Sequence, residues 1–393
     1  MIHSLEDHLV SDVPIGAFLS GGIDSSLLVA LLVKQLGVTL DTFTVKFGEA
    51  AYDESAGAQA VATYLGTRHH QIEIPSGASD LDLAQQVLDQ FDQPFGDSSA
   101  IPTYLISRAI RTAVKVAIAG DGGDEMFGGY PRFRHADLAF VLGHAPHWVA
   151  GMGLAGSYMA GQLGYATAGR AGWRMMQAVQ HRTDDRLLAL SCYTFPHMLN
   201  EILRPATMRH LHTYRPKLAC PATQRATRPP AGPEFIDATI AYALPGDYLR
   251  KVDVMSSAHG LEVRVPLLGM QVLDCAARLP HRLRYTIRDT KLMLRTLIQR
   301  YLPAEVAHRP KSGFGIPLDS WLGAENRADV SALLMSPQAR IRDLVHDTWR
   351  DAVLNAFISG SFDTTRWSRF RVYQYTYFLW SLERWLCRWQ PTL

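Results

Sequence analysis

The sequence predicts an α/β fold: a parallel sheet with helices on both faces, followed by a mostly helical second half. Three observations carry this. Strand-like runs alternate with helix-like runs through the first third of the chain. Two of the strand-like runs break into glycine and acid, in "GAFLSGGIDSSLL" (Gly16–Leu28) and "KVAIAGDGGDEMFGGY" (Lys115–Tyr130). Past about Tyr130 the strand signals fade.

Each element has its own warrant. Val13–Leu19 is short and apolar, the mark of a buried strand, and Ser25–Gln35 is a helix that Gly37 stops. "TFTVKF" (Thr42–Phe47) alternates and is rich in β-formers. Asp53–Leu65 reads as a helix with acids near its start and Gly66 as its stop. "HHQIEI" (His69–Ile74) is a third strand, Leu81–Phe91 and Ile101–Ala113 are helices, and "KVAIAG" (Lys115–Gly120) is a fourth strand. Ala136–Leu211 reads as mostly helical and Pro221–Glu234 as a loop, by its proline, threonine and glycine. The aromatic run "RFRVYQYTYFLWSLERWLCRW" (Arg369–Trp389) reads as a helix packing its rings into a core.

With 393 residues and 47% hydrophobic content, the chain has enough apolar side chains for two domains, or for one with a subdomain. A net charge of +2 without a long Lys/Arg run argues against a nucleic-acid partner. Cys192, Cys220, Cys275 and Cys387 lie far apart without a CxxC, so the expectation is reduced thiols in a cytoplasmic protein, not a disulfide framework or a zinc site. The opening "MIHSLEDHLVSD" is acidic and mixed, unlike a signal peptide. Residues 138–169 carry no Asp, Glu, Lys or Arg. His144, Pro146, His147 and several glycines break the run, so a buried or partner-facing helical pair is expected there and not a membrane span.

The first glycine break is a candidate anion site. In an open parallel sheet, ligands bind beyond the carboxyl ends of the strands. A strand running through glycines into a helix presents unpaired N–H groups and the positive end of the helix dipole there. Gly21 and Gly22 let the backbone approach phosphate oxygens, while Ser20, Ser25 and Ser26 add hydroxyl donors. Asp24 would repel phosphate, and it makes sense as a ligand of a Mg²⁺ that bridges to the phosphates. A helix N-cap would account for one acid or one serine of this set, not for all of it. The second break places Asp121, Asp124 and Glu125 among glycines on the same sheet edge. Acids this dense also suit a solvated turn; a second Mg²⁺ ligand facing Asp24 is the sharper reading.

The loop "SGGIDSS" lacks the GxxxxGK[ST] pattern and resembles the PP-loop of ATP pyrophosphatases, enzymes that cleave ATP between its α and β phosphates. Two further blocks follow, "LPGDYLRKVDVMSSAHGLEVRVPLL" (Leu244–Leu268) and "DTKLMLRTLIQRYLPAEVAHRPKSGFGIPLDSW" (Asp289–Trp321). The last carries Lys291, Arg295, Arg309 and Lys311, charges suited to a leaving pyrophosphate. With "DESAGAQAVATYLGTRHHQIEI" and "DQPFGDSSAIPTYLIS", these blocks resemble the synthetase domain of class B, glutamine-type, asparagine synthetases from about Leu5 to Trp385.

The resemblance implies a PP-loop, adenine nucleotide α hydrolase-like fold. It divides the chain into an ATP-binding α/β core at 1–135, a helical insertion and loop at 136–235, and a helical part at 236–393 that completes the site. It implies ATP and Mg²⁺ as cofactors, and conversion of aspartate and ammonia into asparagine through β-aspartyl-AMP. Ser20, Gly21, Gly22, Asp24, Ser25 and Ser26 would hold phosphates, and Leu19, Val45 and Gly120 would contact adenosine. Asp24 and Asp124 would bind the metal, and Lys291 would stabilise the leaving pyrophosphate. Asp121 and Glu125 would face the adenylate or the incoming amine, with Arg309 and Lys311 nearby.

Departures from the family's pattern are also visible. Such proteins normally begin with a glutaminase domain whose N-terminal cysteine is the nucleophile. This sequence opens near the PP-loop and has no cysteine before Cys192, so the expectation is a chain without that domain. It would be an excised piece, a subunit fed ammonia by a separate glutaminase partner, or an enzyme for another amine. A homo-oligomer is also compatible. Ala119 stands where serine is usual, Gly269 and Gly246 where acids are usual, and Gln93 where glutamate is common. The alternatives are a β-lactam or lasso-peptide type cyclase, a non-catalytic nucleotide-binding module and a tRNA-modifying PP-loop enzyme.

Overall fold

The computed structural model describes residues 1–47, 53–74, 81–142, 147–162, 172, 179, 194, 198–214, 232–286, 288–308, 318–362 and 367–391. They divide into two compact units. The first comprises Met1–Ala78, Asp97–Pro131 and Thr239–Pro317, and the second Ser79–Gly96, Arg132–Ala238 and Leu318–Leu393.

The first unit is built on a five-stranded, all-parallel sheet. Its strands are β1 (Ile15–Phe18), β2 (Asp41–Phe47), β3 (Arg68–Ile74), β4 (Val116–Ile118) and β5 (Glu262–Arg264), in spatial order β3-β2-β1-β4-β5. Gly16 pairs with Asp41 on one side of β1 and with Ala117 on the other. The strand order reverses between β1 and β4, which makes the space beyond their carboxyl ends the crevice where such sheets bind ligands.

The helix Ile23–Lys34 after β1 is apolar all round, and every residue from Ile23 to Leu32 except Asp24 is buried. Its core partners include Leu65, Leu294 and Ile298. Gly37 (φ 66°) follows its end, and Gly66 (φ 72°) caps the helix Ser55–Leu65; both adopt the left-handed conformation that suits glycine. Asp53 accepts a hydrogen bond from Ser55 N at 2.9 Å, so the helix starts two residues later than its acids suggest.

The four expected strands and the parallel sheet are present, and a fifth strand is the correction. "EVR" at Glu262–Arg264 is short and two of its three residues are charged, so it carries no apolar signature. Pairing with β4 creates it: Val116 lies opposite Glu262 and Ile118 opposite Arg264, and Ala119 N donates to Arg264 O at 2.8 Å. An edge strand tolerates such residues because it has one partner strand only.

In the second unit, described helices include Leu81–Leu88, Pro131–Leu142, His147–Gln162, Asp347–Ser359 and the long Arg369–Trp389. The last is the expected aromatic helix: Tyr375 meets Trp349 edge-on at 5.2 Å, and Tyr373 meets Phe357 at 5.5 Å. Its fully buried Glu383 accepts from Arg340 N at 3.0 Å and Ile341 N at 2.8 Å, satisfying the start of a short 3₁₀ turn. On His147–Gln162, Trp148, Met152 and Met159 are exposed. Among the described residues no helix is long and apolar enough to cross a membrane. Most of the expected loop Pro221–Glu234 lies outside the described residues, and its end from Gly232 begins the helix Gly232–Ala238.

Candidate active site

The PP-loop-like turn connects β1 to the helix Ile23–Lys34. Gly21 takes φ 75°, and Gly22 precedes the first helical turn in extended conformation. The turn is tied by its own hydroxyls. Ser20 and Ser25 bring their Oγ atoms to 3.0 Å, Ser20 N donates to Ser25 Oγ at 3.2 Å, and Gly22 N donates to Ser20 Oγ at 3.2 Å. Ser26 is fully buried, so Ser20 and Ser25 are the hydroxyls closer to the turn's surface.

The second glycine-rich segment folds into the short helix Gly123–Phe127 directly after β4. Its glycines are where contact is closest. A Cβ on Gly123 would lie 2.5 Å from Asp24 Cγ, and one on Gly120 would lie 3.1 Å from Ser25 N and 3.2 Å from Asp24 Cβ. Side chains at 120 or 123 would separate the two segments.

Lys291 joins them. Its ammonium pairs with Asp24 Oδ2 and lies 2.8 Å from Asp124 Oδ1. The lysine is 6% exposed, and its backbone sits at φ 55°, in the left-handed region that a lysine seldom occupies. Strained backbone of this kind persists where surrounding structure holds it, and it clusters at functional sites. Burial alone would depress the ammonium's pKa; the carboxylates of Asp24 and Asp124 outweigh it and hold the group well above the ordinary lysine range.

Two more acids line the same edge. Glu125 is 3% exposed and accepts a 2.7 Å hydrogen bond from Tyr130 Oη. Burial pushes its carboxyl above the usual range, against the Tyr130 hydrogen bond. Asp121 is also pushed up, by burial first and then by the charges of Asp24 and Asp124, while Lys251 opposes the shift. Leu19 and Val45 are buried, Leu19 just past β1 with its N–H on Phe43 O and Val45 inside β2; Gly120 follows β4. Arg309 and Lys311 lie outside the described residues. Arg295 donates to the carbonyls of Thr290 and Ala307, holding the segment around Lys291.

Sequence reasoning passed over a second charge cluster. Lys251, on the helix Leu249–Ser257, lies 2.7 Å from Asp97 Oδ2 and donates to Ser99 Oγ at 2.6 Å. All three residues sit inside blocks noted for their family likeness, but no spacing rule singles them out, because 154 positions separate Lys251 from Asp97. Tyr130 was likewise visible only as the end of a glycine-rich run.

The departures have structural settings. Ala119 is buried at the end of β4, Gln93 is exposed, and Gly246 has open space where a side chain would go. Gly269 lies against Ser4, with no room for a Cβ beside the serine hydroxyl.

The two glycine-rich turns and Lys291 therefore meet at the carboxyl ends of β1 and β4. Comparisons with known proteins point the same way. The sequence matches the profile of the asparagine synthase family over residues 1–387. It is 29% identical to asparagine synthetase [glutamine-hydrolyzing] 1 of Bacillus subtilis (strain 168) over 339 residues, 85% of this chain and 51% of that protein. It is 31% identical to a putative asparagine synthetase [glutamine-hydrolyzing] of Mycobacterium tuberculosis (strain ATCC 25618 / H37Rv) over 324 residues, 82% of this chain and 48% of that protein. A shorter match, 35% identical over 156 residues, is to asparagine synthetase B [glutamine-hydrolyzing] of Escherichia coli (strain K12), covering 35% of this chain and 27% of that protein. The chain thus spans about half the length of the first two relatives. A profile match of that extent, on a fold whose two glycine-rich turns converge on one lysine, establishes that the chain belongs to the asparagine synthase family.

Proposed function

We propose that this chain is an AMP-forming ligase of the asparagine synthetase type. It activates the side-chain carboxylate of aspartate with ATP as β-aspartyl-AMP and transfers it to ammonia, giving asparagine, AMP and pyrophosphate. The observation that carries the reading is the convergence of Asp24, Asp124 and Lys291, from three distant parts of the sequence, at the sheet's switch point.

The roles follow from chemistry. The Ser20–Ser26 turn supplies backbone N–H groups and hydroxyls to phosphate oxygens, aided by the helix dipole. Leu19, Val45 and Gly120 border the adenosine. Lys291, kept cationic by its two carboxylates, neutralises charge developing on the pyrophosphate as the α–β bond breaks. Glu125 and Asp121 face the adenylate and the amine, where a carboxylate can take the proton released when nitrogen attacks the acyl carbon. Arg309 and Lys311 belong to the same block and are assigned to the phosphate side.

Two converging carboxylates suit magnesium, which is commonly held by one or two carboxylates together with substrate phosphates. Among the described residues no group of three or more His, Cys, Asp or Glu is placed to hold a metal without such help. Asp24 and Asp124 would hold Mg²⁺, and the ion would supply charge neutralisation on the phosphates. The ammonia would come from solution or from a glutaminase, an activity that the relatives' names give as glutamine-hydrolyzing.

ATP–pyrophosphate exchange, with and without aspartate, tests the reading. Aspartate-dependent exchange, followed by AMP and asparagine release on adding ammonia, is expected. ATP binding without aspartate-dependent exchange would overturn aspartate as the substrate.

A further inference from the structure

We propose that the second compact unit carries an anion site, a cavity lined by Arg204, Arg340 and Arg342 that takes a small phosphomonoester bearing hydroxyl groups. Every residue of this site belongs to the second unit and none to the candidate active site, so it does not depend on the ligase reading.

The cavity forms where two distant segments are tied together. Leu203 pairs with Val345 in an isolated antiparallel bridge, Arg204 N donates to Leu344 O at 2.9 Å, and His346 N donates to Ile202 O at 2.8 Å. Arg204 comes from the first segment, and Arg340 and Arg342 from the 3₁₀ turn Arg340–Asp343 of the second. Buried Glu383 holds that turn through the N–H groups of Arg340 and Ile341. The three arginines thus project from backbone that is fixed before any ligand arrives.

Their charge exceeds what the neighbouring acids compensate. Asp347 alone serves three guanidinium groups: Arg350 at 2.6 Å, Arg204 at 2.7 Å and Arg342 at 3.2 Å. Burial works against its ionised form, yet the charges of Arg350, Arg342 and Arg204 hold the carboxyl below its ordinary range. Arg350 has Asp351 as a second partner, at 2.7 Å. Arg340 makes no ion pair among the described residues. Its guanidinium donates to the carbonyls of Leu386 at 2.8 Å and Pro391 at 2.6 Å, which take hydrogen bonds but cancel no charge. A guanidinium carries five N–H donors. Arg204 uses Nε on Arg342 O at 2.5 Å and Nη2 on Asp347, while Arg342 has only its contact with Asp347 among the described residues. The side chains of Arg204 and Arg342 are 36% and 34% exposed, so their remaining donors are open to a ligand from solvent. A bracing role accounts for the contacts with Asp347 and the carbonyls, and leaves the surplus charge unexplained.

Charges from two segments suit a phosphate group, whose oxygens accept from several guanidinium groups, whereas one carboxylate matches one guanidinium fork. The cavity measures about 370 Å³, which is the size of a small-molecule site and far above the roughly 30 Å³ share of one water. Among the described residues lining it, Pro337 and Ala339 alone are apolar and none is aromatic, so a nucleobase finds no stacking face. Gln338 and Asp343 complete the lining and are exposed. Asp343 would repel the phosphate and instead accepts from hydroxyl groups.

Calorimetric titration of the full chain tests the site, with Mg²⁺ and α,β-methylene-ATP present to fill the nucleotide turn. The probes are glycerol 3-phosphate, inorganic phosphate and glycerate. Glycerol 3-phosphate is expected to bind with a Kd below about 1 mM and about tenfold or more tightly than glycerate, which carries carboxylate in place of phosphate. Arg342→Gln should weaken it by about 10–100-fold, the effect of losing a hydrogen bond to a charged group. That variant also loses a contact with Asp347, so Gln338→Glu is the second: it keeps an acceptor for Ser336 Oγ and adds an anion to the lining. It should weaken glycerol 3-phosphate by a similar factor. Unchanged affinity in both variants would put the binding elsewhere and overturn the site, as would no binding of either phosphate probe. Glycerate binding as tightly as glycerol 3-phosphate would overturn the phosphate, and inorganic phosphate doing so would overturn the hydroxyl-bearing ligand. ATP–pyrophosphate exchange should be the same in both variants as in the wild type, so its absence from the wild type bears on the ligase reading alone.

Discussion

Gly129 stands so close to Asp124 that a Cβ there would overlap the carboxylate Oδ1 and the Cε of Lys291. The backbone is tied at the same place, since Gly129 N donates to Asp124 O at 2.8 Å. Glycine at 129 is thus a condition for the Asp124–Lys291 pair. Gly129→Ala should separate the pair and lower the ATP–pyrophosphate exchange rate by about 10²-fold, the usual effect of misplacing a reacting group by about 1 Å. Gly246→Ala is the control, because open space awaits its methyl. Equal rates for the two variants would refute the steric argument.

Lys291→Gln removes the charge and keeps most of the length. Loss of one donor aimed at developing negative charge lowers turnover by about 10²–10³-fold. The loss should fall on kcat and leave the KM for ATP within about threefold, because the interaction grows as pyrophosphate leaves. The lysine also has a pH signature. Its folded pKa lies above its ordinary value of 10.5, so its contribution to stability is complete below about pH 10.5 and fades as pH rises through the folded value. An alkaline loss of wild-type stability near neutral pH that Lys291→Gln abolishes would contradict this assignment.

The parts of this site differ in how legible they are in the sequence, for physical reasons. Ser20–Ser26 and Asp121–Glu125 could be read because a turn that admits a ligand needs glycine and polar groups in consecutive positions. Lys291 needed family likeness, since an isolated lysine before a helix resembles any solvated one; its left-handed backbone is invisible in sequence. Lys251, Asp97 and Ser99 are brought together only by tertiary packing. Strand β5 was missed for a related reason: its two charged residues become strand by pairing with β4, not by local preference. The helix Ile23–Lys34, apolar on every side, was plain because a helix buried all round carries that composition.

The burial of Glu125 costs the fold stability once its carboxyl is ionised. Burial raises its folded-state pKa above the ordinary value of 4.5, so the folded protein holds that proton more tightly than the unfolded chain. Stability therefore falls as pH rises through the interval from 4.5 to the raised value, and the full penalty applies above it. Glu125→Gln, which can still accept from Tyr130, should raise the melting temperature at pH 7 when ATP and divalent ions are absent. The gain should vanish near pH 4, where glutamate is protonated in both states. The same substitution should reduce asparagine formation by about 10²–10⁴-fold, the range for a lost general base. A melting temperature that falls at pH 7 would contradict the burial argument.

Gly269 needs no special backbone, since its φ of −59° and ψ of 144° are open to any residue. Its constraint is Ser4. That serine is fully buried, its Oγ donates to Pro266 O at 2.6 Å, and a Cβ on Gly269 would collide with the same Oγ. The pair fastens the helix Ile2–Leu9 to the turn at Pro266–Leu268. Gly269→Ala should destabilise by about 1–3 kcal/mol through overpacking. Ser4→Ala should cost about 1 kcal/mol for its hydrogen bond. Combined, the losses should not add, because removing Oγ clears the space that the new methyl requires. The coupling should reach at least about 0.5 kcal/mol in favour of the double variant, measured by urea unfolding of the four proteins. The aspartate that asparagine synthetases usually carry at this position should likewise be tolerated here only after Ser4 is made smaller. Strict additivity would mean that the backbone, and not Ser4, yields to the methyl.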